Sequence, residues 1–579
     1  MVRTLPGAAL VLALALLYPA CGDDEAAADA KNSEPSNDGG GGEGGGETGV
    51  SLSDGAAAPD ALKPEGGTTA LPPPSCSAAG GGATVSAPTL LLKLKDDGQE
   101  GWLASPAVAD LDGDTKPELI VARSGRVFAW KNTGARAFAY NTTKDRIWAS
   151  PVVGDFAGDA KLEVAVAARD STYLLDATGA LAPGFPAAWG TETRTLAAGD
   201  VDGDGALDLI AAVRTAGAAT DIVRAVKGSG AVVAGFPPVA AGGSGCTPGP
   251  CYFAGLYDQN LAVGDLDGDG KHDLVVPHDN AYASFFKGTG AAFDSNAMFA
   301  GRPKTPGVRY LHALAEAKQG YANNEATANQ AHFTNTAPAI ADIDKDGKFD
   351  IIMLGSAQNA AQSDRLRGVG LWALHSDASR LAGWDTPFHA PTYVMGLNDG
   401  FSPGLGDPAV AGAGNLVGAT NQVTVADIDA SKAGLEMLFA GFDGQVHAVA
   451  ANKTELWVTP YATNGRALTG GVLAADLSAD GVPEVVFATY SPDQGGGALF
   501  VLSAAGAVLH KVPLPKRGSM AVPTIADVDG NGTLEIVVSL KDNEPANESV
   551  HVFTVAGSKT NCLLWPTGRA NLLRNGWVR

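Results

Sequence analysis

The chain has 579 residues, with 40 Lys and Arg against 63 Asp and Glu, for a formal net charge of −23 at pH 7. That balance excludes binding to nucleic acid or anionic lipid through a basic surface, which needs clustered positive charge. No apolar run beyond the first seventeen residues is long enough to cross a bilayer as a helix, which takes about 20 residues.

Residues 1–20 read as a signal peptide: Arg3 is the only charged side chain and the apolar run from Ala8 to Leu17 is too short for a span. The stretch Leu17-Tyr18-Pro19-Ala20-Cys21 is similar to a bacterial lipoprotein signal, in which a small residue precedes the cysteine that takes lipid; Tyr18 departs from that pattern. The expectation is an exported protein, an outer-membrane or cell-surface lipoprotein or else periplasmic or secreted, touching membrane only through lipid on Cys21. Residues 21–75 hold Gly39 to Gly42, Gly44 to Gly46, many acids and Pro72 to Pro74. Nothing there can build a core, so the segment reads as a disordered tether with a reach of about 40 Å.

From Asp110 onward one pattern returns eight times: Asp, any, Asp, any, Asp, Gly, two residues, Asp or Glu, then aliphatics. Three copies are complete: Asp200, Asp202, Asp204 and Asp208; Asp265, Asp267, Asp269 and Asp273; Asp342, Asp344, Asp346 and Asp350. The copy with Asp110, Asp112, Asp114 and Glu118 lacks only the glycine. Three are eroded: Asp155, Asp159 and Glu163 with Ala157 at the third position; Asp476, Asp480 and Glu484 with Ser478; Asp527, Asp529 and Glu535 with Asn531 at the fifth. The copy with Asp427, Asp429 and Glu436 is one residue too long.

Carboxylates two apart in a tight loop turn onto one hard cation, and Ca2+ takes six to eight oxygens from carboxylates, carbonyls and water. Position 9 adds a carboxylate, and glycine at position 6 permits the sharp turn. A plain Asp-Gly hairpin turn would need no second, third and fourth carboxylate. A large share of the acidic residues lies in these motifs, so several bound Ca2+ would cancel much of the formal charge and make folding calcium-dependent.

The residues after position 9 are strand-like rather than helical: Leu119-Ile120-Val121, Leu274-Val275-Val276, Ile351-Ile352 and Ile536-Val537-Val538. A further strand comes next in each interval, as in Val127 to Trp130 and Leu499 to Leu502, then a weaker outer one near Gly184-Phe185-Pro186 and Gly235-Phe236-Pro237. The shorter intervals between motifs are roughly 45–50 residues, the length of one four-stranded propeller blade. At these motifs the sequence resembles the FG-GAP/VCBS repeat family, whose relatives include the calcium-binding propellers at the head of integrin α chains. The resemblance covers about residues 88–566. It implies an all-β propeller of eight, or seven, four-stranded blades with calcium loops, spanning residues 76–566 and followed by a closing tail at 567–579. Leu90 to Leu94, Cys562 to Trp565, or both, would close the ring.

Five cysteines are an odd number for an exported chain. Lipid on Cys21 accounts for one, Cys246 and Cys251 enclose a short loop suited to a local bridge, and Cys76 and Cys562 are expected to staple the two ends of the array. Three long intervals carry insertions at 242–257, 298–336 and 389–421, the second with a short helix around Leu314. Gly400-Phe401-Ser402-Pro403-Gly404 matches G-x-S-x-G, but Pro403 cannot supply the oxyanion N–H after the serine. His447 and His551 sit in strand patterns and read as structural.

The leading functional expectation is a non-enzymatic, monomeric, surface-displayed propeller that binds a protein or polysaccharide ligand through its insertions. Tyr252, Phe253, Tyr257, Tyr310, Trp384 and Tyr393 are its candidate contact aromatics. The alternative is an enzyme similar to the polysaccharide lyases built on eight-bladed calcium propellers, with Arg302, Lys304, Arg309, His312 and His332 as candidates for charge neutralisation and proton abstraction. A third is a purely structural surface protein.

Overall fold

The computed structural model describes residues 75–213, 222–238, 261–278, 281–311, 313–318, 330–333, 336–358, 368–390, 404–406, 415–418, 421–441, 443–462 and 467–578. Cys21, Cys246, Cys251, Tyr252, Phe253, Tyr257, His312, Tyr393 and the segment from Gly400 to Pro403 lie outside them, as do most of the first and third insertions.

The chain is all-β, with eight antiparallel blades arranged as a propeller. Blade 1 comprises Ala107–Ala109, Glu118–Arg123, Arg126–Trp130 and Arg136–Asn141; blade 2 comprises Val152–Gly154, Glu163–Ala168, Ser171–Leu175 and Ala187–Ala188. Blades 3 and 4 show three named strands each, beginning at Thr193 and Ala262, with single bridges Val226 to Val232 and Phe286 to Ala292 where the outer strand would stand. Blades 5 to 8 begin at Ala339, Thr424, Leu473 and Thr524. The overlong motif at Asp427 heads its own blade, which decides for eight over seven.

Position on the blade follows the hydrophobic pattern. The second strands, such as Glu118–Arg123 and Glu163–Ala168, are buried throughout because neighbouring blades pack on both of their faces. Outer strands alternate, as Arg136–Asn141 does, because their far edge meets solvent. Between blades the core is continuous: Ile210, Ala212 and Val223 of blade 3 pack with Val263, Leu274 and Phe286 of blade 4. His447, held between Asp443 at 3.0 Å and Glu455 at 2.8 Å, and His551, bonded to the Glu548 carbonyl, are buried parts of this framework.

Both expected closing segments are used, in different places. Thr89–Leu94 becomes the outer strand of blade 8 by pairing with Val550–Thr554, whereas Leu563–Trp565 pairs with the innermost strand of blade 7. Cys76 and Cys562 form a disulfide across a sequence separation of 486 residues. Because so long a loop loses much entropy when closed, replacing both cysteines by serine is expected to lower stability by about 2–5 kcal/mol, measurable by denaturant unfolding without reductant.

The last residues run through the middle of the ring. Carbonyls of Cys562, Pro566, Leu572, Leu573, Asn575 and Gly576 accept N–H bonds from Asp476, Ile525, Val153, Ala198, Val263 and Ile340, at or beside the innermost strands of blades 7, 8, 2, 3, 4 and 5. Arg574 donates to the Pro106 carbonyl at 2.7 Å and the Pro151 carbonyl at 3.0 Å, before the inner strands of blades 1 and 2. Arg569 donates to the Leu196 and Leu261 carbonyls, and its own N–H goes to Gln422 Oε1 ahead of blade 6. Thus the segment from Cys562 through the tail touches every blade and occupies the axis. Gly264 lies under the Trp577 indole, where a Cβ would come within 2.8 Å of the ring.

Candidate metal centres

In every blade the inner strand ends one residue before the motif, and position 9 is the first residue of the second strand. The two pair directly: Ala109 with Glu118, Gly154 with Glu163, Gly199 with Asp208, Gly264 with Asp273, Ala341 with Asp350, Ala426 with Glu436, Ala475 with Glu484 and Ala526 with Glu535. The motif is therefore the hairpin between the two innermost strands, repeated eight times around one face of the ring.

Backbone amides shape each loop. The position-9 carboxylate accepts the N–H of position 2 in all eight, from Leu111 to Glu118 at 2.9 Å through Val528 to Glu535 at 2.9 Å. In seven, the position-1 carboxylate accepts the N–H groups of positions 5 and 6, as Asp200 does from Asp204 at 3.1 Å and Gly205 at 2.9 Å. At Asp427 the extra residue breaks this pattern, and Asp429 accepts from Ser431 instead.

Position 6 needs left-handed backbone, and Gly205, Gly270, Gly347, Gly481 and Gly532 supply it at φ between 83° and 89°. Thr115 adopts φ 70° at the same place in the first loop. Its Cβ is strained there, so Thr115→Gly is expected to raise stability by about 1 kcal/mol in thermal unfolding.

Five loops bring three carboxylate oxygens within 4.8 Å of one another: Asp110, Asp112 and Glu118; Asp200, Asp202 and Asp208; Asp265, Asp267 and Asp269; Asp342, Asp344 and Asp350; Asp527, Asp529 and Glu535. The four fullest motifs are all here, joined by the eroded one with Asn531. Among the described residues the loops at Asp155, Asp427 and Asp476 form no such cluster. Ala157 removes an oxygen from the first of these. At the third, the Asn561 amide takes Asp476 Oδ2 at 2.8 Å, and the N–H groups of Ala79 and Gly81 cap the Ala479 carbonyl. Asp114, Asp204 and Asp346 use one oxygen each to accept the N–H of position 7.

The donor set fits a hard divalent cation. Asp208 Oδ1 and Glu535 Oε1 are buried without a hydrogen-bond partner, on side chains 1 % and 0 % exposed, and a cation would satisfy them. Burial pushes the position-9 carboxyls up, Asp208 and Glu535 to about 7 and Asp273 to about 8, with neighbouring acids adding to the effect.

Three lysines outside the acidic motif contact its loops. Lys131 pairs with Asp112 and with Glu118 at 2.9 Å; Lys227 with Asp202 at 2.6 Å and Asp204 at 2.5 Å; Lys287 with Asp267 at 2.6 Å. A sequence signal for them exists: each opens a Lys-x-Ser/Thr-Gly turn after the third strand of its blade, at Lys131-Asn-Thr-Gly134, Lys227-Gly-Ser-Gly230 and Lys287-Gly-Thr-Gly290.

Residues 110–166 match the family model of the FG-GAP-like repeat. No curated protein sequence matches the chain. Among solved structures, the chain is similar to the V. cholerae biofilm matrix protein Bap1, at 13% identity, 85% of this chain, 96% of that one and a TM-score of 0.47. It is also similar to Bacillus licheniformis rhamnogalacturonan lyase PL11, at 15% identity, 90% of this chain, 81% of that one and a TM-score of 0.43. The matched repeat and the eight-bladed ring that carries it together fit an FG-GAP repeat β-propeller.

Proposed function

We propose that the protein is an exported, calcium-stiffened propeller that binds a protein or glycan ligand without transforming it. The observation that supports this reading most is the connection from Phe286 to Ala339. The ring does not need it, yet its Phe299, Val308, Tyr310, Leu314, Ala317 and Phe333 are buried against blades 4 and 5. The described parts of this connection, fixed in this way, offer a shaped surface, and long ordered loops in compact domains usually carry function. With the axis filled by the tail, the rims and connections are the surfaces left for a ligand.

The contact aromatics need revision. Tyr310 and Trp384 are 0 % and 1 % exposed and belong to the core, because their rings close the gaps beside blades 4 to 6. The lyase alternative gains little: Lys304 is paired with Asp294 at 2.5 Å, Arg309 is 2 % exposed, and His332 lies in the strand Gln330–His332. Calcium as the ion, export, and lipid on Cys21 belong to the same proposal.

The test is to incubate the calcium-loaded protein with a panel of polyuronates and follow both retention on the polymer and ultraviolet absorbance of unsaturated products. Retention without absorbance growth is the expected result for a glycan ligand. Calcium-dependent absorbance growth would establish a lyase and overturn the reading, and neither signal would direct the search to protein ligands.

A further inference from the structure

The turn between the third and outer strands has the same backbone in seven blades. Its first residue donates N–H to a carbonyl four residues on: Lys131 to Ala135, Asp176 to Ala180, Lys227 to Ala231, Lys287 to Ala291, His375 to Ser379, Ala450 to Thr454 and Ser503 to Ala507. In blade 8, Thr554, opposite Glu535, stands at this place. The position lies beside the metal loop of the same blade, as the lysine contacts in blades 1, 3 and 4 show. Its occupant is a lysine in three of the five blades whose loops gather three carboxylates, a histidine in blade 5 and a threonine in blade 8.

We propose that Lys131, Lys227 and Lys287 are tethered competitors of the metal, dividing the five carboxylate cages into three lysine-held and two open ones. The inference rests on the metal reading of the loops. An ammonium and a divalent ion need the same oxygens: Lys131 uses Asp112 and Glu118, and Lys227 uses Asp202 and Asp204, all position 3, 5 or 9 donors. For a cation to enter, the lysine must leave, and its side chain has four rotatable bonds with which to swing outward. The open cages differ in kind. At Asp527 no cationic side chain is paired with the loop among the described residues; the uncharged Thr554 hydrogen-bonds the Glu535 carboxylate, and Glu535 Oε1 remains buried without a partner. At Asp342 the nearest substitute is His375, whose Nδ1 is 3.4 Å from Asp350, while the exposed Lys348 reaches only Asp346, at 3.9 Å, and none of the three clustered carboxylates.

The consequence is a graded response. Calcium affinity of a loop rises with its net ligand charge, and a tethered positive charge within about 4 Å opposes a second cation at the same oxygens. The Asp342 and Asp527 cages therefore fill first, while the cages of blades 1, 3 and 4 stay folded on their own lysines and load only at higher calcium. The ring would keep three of its eight loops organised when calcium is scarce.

The experiment is calcium titration of the full chain by isothermal calorimetry and equilibrium dialysis, on the native protein and on Lys131→Met, Lys227→Met, Lys287→Met, the triple variant and the charge-keeping triple Lys→Arg variant. Two tight sites and a weaker set are expected for the native protein, with at least ~10-fold tighter binding at each lysine-to-methionine loop and no such gain in the arginine variant. Each methionine variant should also melt lower in chelator than the native protein and show a larger calcium-induced rise in Tm, which separates competition from simple loss of an ion pair. Unchanged or weaker calcium binding in the methionine variants would overturn the proposal while leaving the metal reading intact. Absence of calcium binding by the native protein and by every variant would instead sink the metal reading itself, and the competition with it.

Discussion

Deleting residues 567–579 is expected to leave a ring that fails to fold as a stable unit. The tail carbonyls of Leu572, Leu573, Asn575 and Gly576 satisfy inner-strand N–H groups of four consecutive blades, and Leu573, Trp577 and Val578 are buried among them. Each inner-strand donor left buried and unpaired costs about 1–3 kcal/mol, and the lost apolar burial adds to that. The total approaches the roughly 5–15 kcal/mol that holds a typical domain together. A milder variant isolates the hub. Arg574 is fully buried and joins the carbonyls of Pro106, Pro151 and Gly568 with Thr567 Oγ1. Arg574→Ala should cost about 3–5 kcal/mol by orphaning these acceptors, and Arg574→Lys should rescue little, since an ammonium cannot span the planar fork of contacts. Denaturant unfolding of the full chain reads both, and a Tm within a degree of the parent for Arg574→Ala would remove the hub from the account of stability.

Calcium removal should produce the second large effect. A site filled at 100 times its Kd adds about 2.7 kcal/mol to the folded state, and five loops assemble carboxylate cages. Thermal unfolding with and without chelator should therefore separate by many degrees, and Asp527→Asn should remove one increment while leaving its neighbours, because blades contact mainly their nearest neighbours. The pH dependence has a definite sign. In the metal-free fold, Asp208, Glu535 and Asp273 are held up at about 7, 7 and 8, chiefly by burial. The folded state then binds protons that the unfolded chain releases, so chelated protein should gain stability as pH falls from about 8 towards the ordinary carboxylate range near 4. Metal replaces those protons, so calcium binding at pH 7 should release them, seen in calorimetry as a heat that depends on the buffer. Coincident melts with and without chelator at pH 8 would mean the loops hold no ion that matters to the fold.

Much of this molecule was legible from local pattern. The repeat of Asp-x-Asp-x-Asp-Gly with aliphatics after position 9 placed every second strand, because a tight carboxylate loop followed by a buried run has one physical reading, a hairpin at the inner edge of a sheet. The same pattern separated fuller loops from eroded ones, and the cages at Asp110, Asp200, Asp265 and Asp342 are where it put them. The flanking cysteines, Cys76 and Cys562, were legible from their places at the two ends of the array.

Other features depend on contacts between residues far apart in the chain, which no local period encodes. The tail from Thr567 carries three arginines, and its local pattern marks none of them for burial. Only closure of the ring surrounds Arg569 and Arg574 with inner-strand carbonyls and buries them. Tyr310 and Trp384 looked like ligand contacts, but the volume between adjacent blades draws large rings inward, and that volume exists only once the blades are assembled. The lysines of blades 1, 3 and 4 carry a turn signature, but that signature does not say which acids they meet; pairing of the blade's strands brings each ammonium to its loop. The sequence by itself determined the unit, a hairpin loop of carboxylates between two buried strands, because that unit is built from residues within one short segment. The tertiary structure decided how many units close and what fills their centre, because both are settled by surfaces that meet only when all eight blades are in place, and the folding of each single blade decided which loops already hold a cation of their own.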